Sequence, residues 1–339
     1  MTKHTAETNS MATPASTSTQ ENARPSWDPA VSLIDPQTLM RIKSLELRAK
    51  AIVEGFWTGL HRSPYHGFSV EFTEYRQYTV GDDPRYLDWK LYARSDRLYV
   101  KRFEDETNLR CHVLLDHSKS MQFGSLGYTK AQYAATLAAT LGYFLNTQRD
   151  AVGLVTFDEE IRELIPSRYR PGHLRRLMVA IEKEAKGKAT DLVSPLRRVA
   201  DIVTKRGLLI LISDLLSPLE GLSTHLSYLR SRGHEVVLFH ILDPAELTLD
   251  FDAPSMFFDL ESGRDLYIDP QQVRQQYLEK LKAHNQAVQT ICDDCGIDYH
   301  QLNTDQPLEL AMFDFLCARM HLKRQVMRRT AMRTSTGGA

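Results

Sequence analysis

Long apolar runs are missing from this 339-residue sequence. A membrane helix needs roughly 18 apolar residues in a row. The richest candidate, Ala134 to Leu145, is shorter and carries Thr136, Thr140 and Gly142, so no transmembrane segment is expected. The N-terminal stretch also lacks an apolar core, which argues against a signal peptide. Residues 1–34 are rich in Thr, Ser, Ala and Pro and read as a disordered tail. Charge of one sign is not in excess: 42 Lys+Arg stand against 43 Asp+Glu, a net charge of -1. Nucleic-acid binding needs a basic surplus to neutralise phosphates, so no nucleic-acid partner is expected. Cysteine is scarce, with Cys111, Cys292, Cys295 and Cys317 only, too few for a disulfide framework in a chain this long. These absences together predict a cytoplasmic protein. Several enzyme signatures are missing as well. There is no G-x-S-x-G, no Lys-Ser/Thr after the glycines of Phe123 to Gly127, and no H-x-x-x-H pair on a helix.

What is present is an ordinary globular mixture, 42% hydrophobic and 25% charged, enough for a sizeable core. Ile42, Leu45, Ala49, Ile52, Phe56 and Leu60 recur at steps of three or four. That spacing predicts one amphipathic helix over 35–62, with Asp35 as its cap and Pro36 at its first position. Residues 63–108 read as a small β-rich module, dense in charge and aromatics, around the turn Gly81-Asp82-Asp83-Pro84. From Leu109 the rhythm is strand then helix. Short apolar runs at Cys111–Leu115, Ala151–Phe157, Leu208–Ile212 and Val236–Ile241 alternate with helical stretches. This predicts an α/β fold over 109–320, a Rossmann-like, mostly parallel sheet with helices on both faces. Glu246 to Pro270 interrupts it as a hairpin excursion, and 321–339 is a basic tail.

The sharpest chemical signal is Leu-Leu-Asp-His-Ser-Lys-Ser directly after the first apolar strand. It sets Asp116, Ser118 and Ser120 in the pattern D-x-S-x-S at a strand's carboxyl end, where open α/β sheets bind ligands. One carboxylate and two hydroxyls on alternate residues offer small, hard oxygens suited to Mg²⁺. Thr190, in Gly-Lys-Ala-Thr-Asp, and Asp214, after the run Leu208 to Ser213, can join them at the same edge. Strand-end Ser and Asp can equally cap the following helices and bind nothing.

This order of residues resembles the metal-ion-dependent adhesion site of von Willebrand factor A domains. The resemblance implies Ser118, Ser120 and Thr190 as direct ligands, with Asp116 and Asp214 acting directly or through water, and Mg²⁺ (or Mn²⁺ or Ca²⁺) as the ion. Many such domains carry Gly after the last Asp, whereas Leu215 stands here. Upstream, Gly67, Glu71, Phe72, Arg76, Tyr78, Gly81, Asp82, Arg85, Asp88, Trp89, Ala93 and Arg94 resemble the signature of the bacterial domain of unknown function 58 family. Ser69 stands where that family usually has Gly. The resemblance implies a partnership with a MoxR-type AAA+ ATPase and a client protein.

The expected function is therefore a metal-dependent protein-interaction module, not an enzyme. One alternative is a Mg²⁺-dependent phosphohydrolase using Asp116, although the second Asp of such enzymes is replaced by Ser118. Another is a scaffold whose metal site is covered by the β-rich module. Glu71, Arg76, Asp82, Arg85, Asp88, Trp89 and Arg94 are either an interaction cluster or an internal ion-pair network. Cys292-x-x-Cys295 reads as a plain helix end capped by Gly296, with no second pair to complete a zinc site.

Overall fold

The computed structural model describes residues 33–62, 74–79, 89–95, 97–102, 109–183, 192–251, 253–258 and 264–316. The N-terminal periodicity forms two helices, α1 (Pro36–Met40) and α2 (Leu45–Arg62). Asp35 caps α1, accepting from Thr38 N–H at 2.9 Å, with Pro36 in the first turn. The single helix expected here is broken at 41–44 because Ser44 starts a new one. Its hydroxyl accepts from Leu47 N–H at 3.3 Å and its carbonyl from Arg48 N–H.

In the following segment, β1 (Glu74–Gln77) pairs antiparallel with β2 (Tyr99–Arg102), and α3 (Trp89–Ser95) lies between them in sequence. The helix was not foreseen in a stretch read as β-rich.

The main sheet has six strands: β3 (Arg110–Asp116), β4 (Ala151–Phe157), β5 (Ile161–Arg168), β6 (Leu208–Ser213), β7 (Glu235–Leu242) and β10 (Asp298–Asn303). Their order is β10-β7-β6-β3-β4-β5, parallel throughout except for β5, which pairs antiparallel with β4. The β5 strand was missed in the sequence because an edge strand is half exposed. Its residues mix Arg162, Glu163 and Pro166 with apolar ones instead of forming an apolar run.

The helices are α4 (Lys130–Thr147), α5 (His173–Ile181), α6 (Val193–Ile202), α7 (Leu222–Ser231), α8 (Pro244–Thr248), α9 (Pro270–Cys295) and α10 (308–316). Between α8 and α9 the excursion is an antiparallel hairpin, β8 (Ser255–Phe258) with β9 (Asp265–Ile268).

Side chains alternate across the central strands, as a period of two requires. Cys111, Val113 and Leu115 of β3, Ile210 of β6 and Phe239 of β7 enter one core with α2, α4, α5 and α10. Leu114, Leu209, Leu211 and Leu238 enter a second core with α6, α7 and α9. A sheet buried on both faces explains why these strands read as unbroken apolar runs. Helix α2, expected as a separate N-terminal element, is part of the first core. Ala49, Ile52, Val53 and Phe56 are buried in it, and Trp57 stacks on Phe144 of α4 at 5.8 Å between ring centres.

From β3 the chain moves to β4 and β5, then returns to β6 on the other side of β3. The sheet's topological switch point is therefore at the carboxyl ends of β3 and β6, where crevices form in open α/β sheets.

Candidate functional site

Asp116 is the last residue of β3, and Asp214 directly follows β6. Both are fully buried at the switch point. Asp116 is tied down at each oxygen. Oδ1 accepts from Ser118 N–H at 2.8 Å, and Oδ2 from the Ser213 hydroxyl at 2.5 Å. The Ser118 hydroxyl lies 3.0 Å from that of Ser120, which opens a short 3-10 turn. Burial first, and then the negative charge of Asp214, push the Asp116 carboxyl well above the usual carboxylate range. Two buried acids facing one another are costly unless a cation joins them.

The loop after β6 has an unusual backbone. Leu215, where Gly is common in the resembling domains, has φ 52°, a left-handed conformation rare in a branched residue. Its surroundings hold it there. Leu215 is buried, and its N–H donates to the Ser213 hydroxyl at 3.0 Å. Its carbonyl accepts from His284 Nε2 at 3.0 Å, and the neighbouring Asp214 carbonyl accepts from His240 Nε2 at 2.8 Å. A carbonyl can only accept, so the Nε2 tautomer of His240 is fixed, and Nδ1 is left to accept from the Tyr299 hydroxyl at 2.8 Å. Burial lowers the His240 pKa to about 4, which keeps this support neutral.

Three contributors were not foreseen. Lys130, at the start of α4, is wholly buried, and its ammonium donates to Asp214 Oδ2 at 2.9 Å and to Glu246 Oε1 at 2.5 Å. Burial alone would lower the Lys130 pKa, but the two acids outweigh it and raise it, so the ammonium stays charged. Glu246 is itself raised by burial and opposed by Lys130. Direct contact with the Lys130 ammonium opposes that rise and favours the ionised pair. Glu246 also completes the capping box of α8, its carboxylate accepting from Asp243 N–H at 2.9 Å. Asp243 in turn accepts from Ser125 N–H at 3.0 Å, Ala245 N–H at 2.9 Å and the Thr304 hydroxyl at 3.2 Å, tying the loop after β3 to the ends of β7 and β10. The sequence did carry one signal for this, Asp243-Pro-Ala-Glu246, the spacing of a capping box.

The donors present suit a small hard cation. Asp116, Ser118, Ser120 and Asp214 come together at one edge, all through oxygen, and the two carboxylates supply the negative charge. Among the described residues no group of three or more His, Cys, Asp or Glu is arranged to hold a metal, so the candidate rests on hydroxyls plus these two acids. Thr190, the fifth expected ligand, lies outside the described residues, as do Glu71, Asp82, Arg85 and Asp88. Arg76 is in β1 opposite Val100, Trp89 opens α3, and Arg94 is exposed in its last turn.

His117 is buried beside the site, and the charges it feels most are Asp158 and Glu163 on the β4–β5 side. Cys292 and Cys295 end α9, with Gly296 as the left-handed cap at φ 65°. Burial raises the Cys292 thiol to about 12, and the Cys295 sulfur lies 3.2 Å from the Ser227 hydroxyl. Among the described residues they join no group of three or more His, Cys, Asp or Glu that could hold a metal. Among the described residues no helix is long and apolar enough to cross a membrane.

The chain is similar to several known proteins. An uncharacterized protein of Mycobacterium tuberculosis (strain H37Rv) is 26% identical over 290 residues, 84% of this chain and 90% of its own length. A second, from Mycobacterium avium, is 27% identical over 135 residues, 39% of this chain and 78% of its own. Among solved structures, an aerotolerance-related membrane protein from Bacteroides fragilis is similar at TM-score 0.42 and 15% identity, covering 60% of this chain and 96% of that one. The conserved hypothetical protein BatB from Bacteroides thetaiotaomicron is similar at TM-score 0.42 and 14% identity, covering 62% and 99%. Residues 74–287 match the family described as "Protein of unknown function DUF58", and the chain belongs to that family.

Proposed function

We propose that this chain is a protein-interaction module that binds a partner through a divalent cation, Mg²⁺ in the first instance. The observation that carries this reading is the pair of fully buried carboxylates, Asp116 and Asp214, beside the Ser118 and Ser120 hydroxyls at the switch point. Asp116, Ser118, Ser120 and Asp214 would hold the ion, and Thr190 is the proposed fifth ligand. The ion would supply an electrophilic point that accepts an oxygen from outside. The two acids balance its charge, so a carboxylate from a partner is the favoured outside ligand. The proposed partner is a MoxR-type AAA+ ATPase, acting with the module on a client protein.

A phosphohydrolase is the weaker reading. Asp116 is wholly buried and both its oxygens already accept hydrogen bonds, a poor state for a nucleophile that must reach a phosphorus atom. The test is recovery of partners from native lysate with Mg²⁺ or with EDTA, using the wild-type chain and Asp116→Ala. An ATPase retained by the wild type in Mg²⁺ and lost in EDTA and in the variant supports the module. Retention unchanged by either would move the contact away from this edge.

A further inference from the structure

Among the described residues Lys130 is the one buried lysine. A lysine is expelled from a protein interior unless carboxylates and hydrogen bonds replace its water. Here both do, and one of them is a proposed metal ligand. The ammonium sits 2.9 Å from Asp214 Oδ2, so that oxygen already faces a positive charge supplied by the chain itself. The second anchor, Glu246, is on α8, outside the donor set.

The charges of the cluster have a simple sum. Asp116, Asp214 and Glu246 against Lys130 leave two negative charges when all are ionised, the complement of one divalent ion. We propose that Lys130 is the resident cation of this site, holding Asp214 when no divalent ion is bound and yielding it when one arrives. Glu246 then keeps the displaced ammonium inside the protein. The inference rests on the metal-binding reading and deepens it, because it says which residues outside the ligand set fix the affinity.

Lys130→Met removes the competing charge and Glu246→Gln removes the anchor for the displaced one, so the two variants should move affinity in opposite directions. A unit charge changed within a few ångströms of a divalent ion is worth about tenfold or more in affinity, even with strong screening. The experiment is calorimetric titration of the full chain with MgCl₂ and with MnCl₂, for wild type, Lys130→Met, Glu246→Gln and Asp116→Asn. Circular dichroism would check each fold. Expected are binding at least about tenfold tighter in Lys130→Met, at least about tenfold weaker in Glu246→Gln, and lost in Asp116→Asn.

A second readout is the melting temperature. The wild type should be little affected by EDTA, whereas Lys130→Met should become strongly dependent on Mg²⁺. If Lys130→Met does not fold even with Mg²⁺, Glu246→Gln decides through its opposite sign. Wild-type binding lost in Asp116→Asn but unchanged in both charge variants would overturn the resident-cation role and leave the metal site standing. No binding in wild type but binding in Lys130→Met would support the role in its strongest form. No binding in either, with both folded, would remove the metal site and the inference with it.

Discussion

Asp116→Asn should make the metal-free protein more stable above neutral pH, although it replaces a fully buried residue with a hydrogen-bonding role. Burial and Asp214 push the Asp116 carboxyl up from 3.8 to about 7. The folded state therefore holds the proton more tightly than the unfolded one. Stability then falls as pH rises from about 4 and goes on falling to about 7, above which the full penalty is present. A rise of that size corresponds to about 4 kcal/mol at pH 8. The amide keeps an acceptor for Ser118 N–H but offers a donor where the Ser213 hydroxyl now donates. Reversing that contact costs about 1 kcal/mol and leaves a net gain of about 3 kcal/mol. For a chain of this size the gain is an increase in melting temperature of roughly 4–6 °C. The assay is thermal unfolding followed by circular dichroism in EDTA, at about pH 4 and about pH 8. At the acid end both proteins carry a neutral group and the variant should be equal or slightly less stable. Adding Mg²⁺ at the upper pH should raise the wild type only slightly and the variant not at all. A variant destabilised by the same amount at both pH values would refute the argument that Asp116 carries a buried electrostatic penalty.

Two further outcomes follow from the packing and the loops. Phe144→Ala empties a buried site between Trp57 and Phe315, whose rings lie 5.8 and 6.5 Å away; it should cost about 3–5 kcal/mol in urea unfolding and expose α2 to limited proteolysis. Asp243→Ala leaves the Ser125, Ala245 and Thr304 donors without their acceptor. A loss of about 3 kcal/mol is expected, and amide exchange should accelerate first in the loop around Ser125 and at the start of α8; uniform acceleration over the sheet would contradict that assignment.

The central strands were readable because both faces of β3, β6 and β7 are buried, which turns each into a continuous apolar run. Edge strand β5 has only part of its surface covered, so its residues carry no such run. The D-x-S-x-S pattern placed Asp116, Ser118 and Ser120 correctly at a strand end because local sequence fixes that geometry. Lys130 and Glu246 could not be read in this way. A lysine at a helix start and a glutamate after Asp-Pro-Ala both look solvated, and only the tertiary arrangement brings them to Asp214. The left-handed Leu215 runs against its own propensity and is maintained by hydrogen bonds from His240 and His284, which arrive from β7 and α9.

The pairing of the two ends of the described fold has a consequence for how the molecule is made. Ile34 N–H donates to Glu309 Oε1 at 3.2 Å across 275 residues, and α2 lies in the same core as α10. During vectorial synthesis the apolar face of α2 emerges before the elements that bury it, and it has to wait for α4 and then for nearly the whole sheet before α10 exists. Long-range closure of this kind slows folding and leaves the waiting surface exposed to other chains. Helix α2 is thus covered only long after it is made, and it is a stretch on which a ribosome-associated chaperone would have time to act.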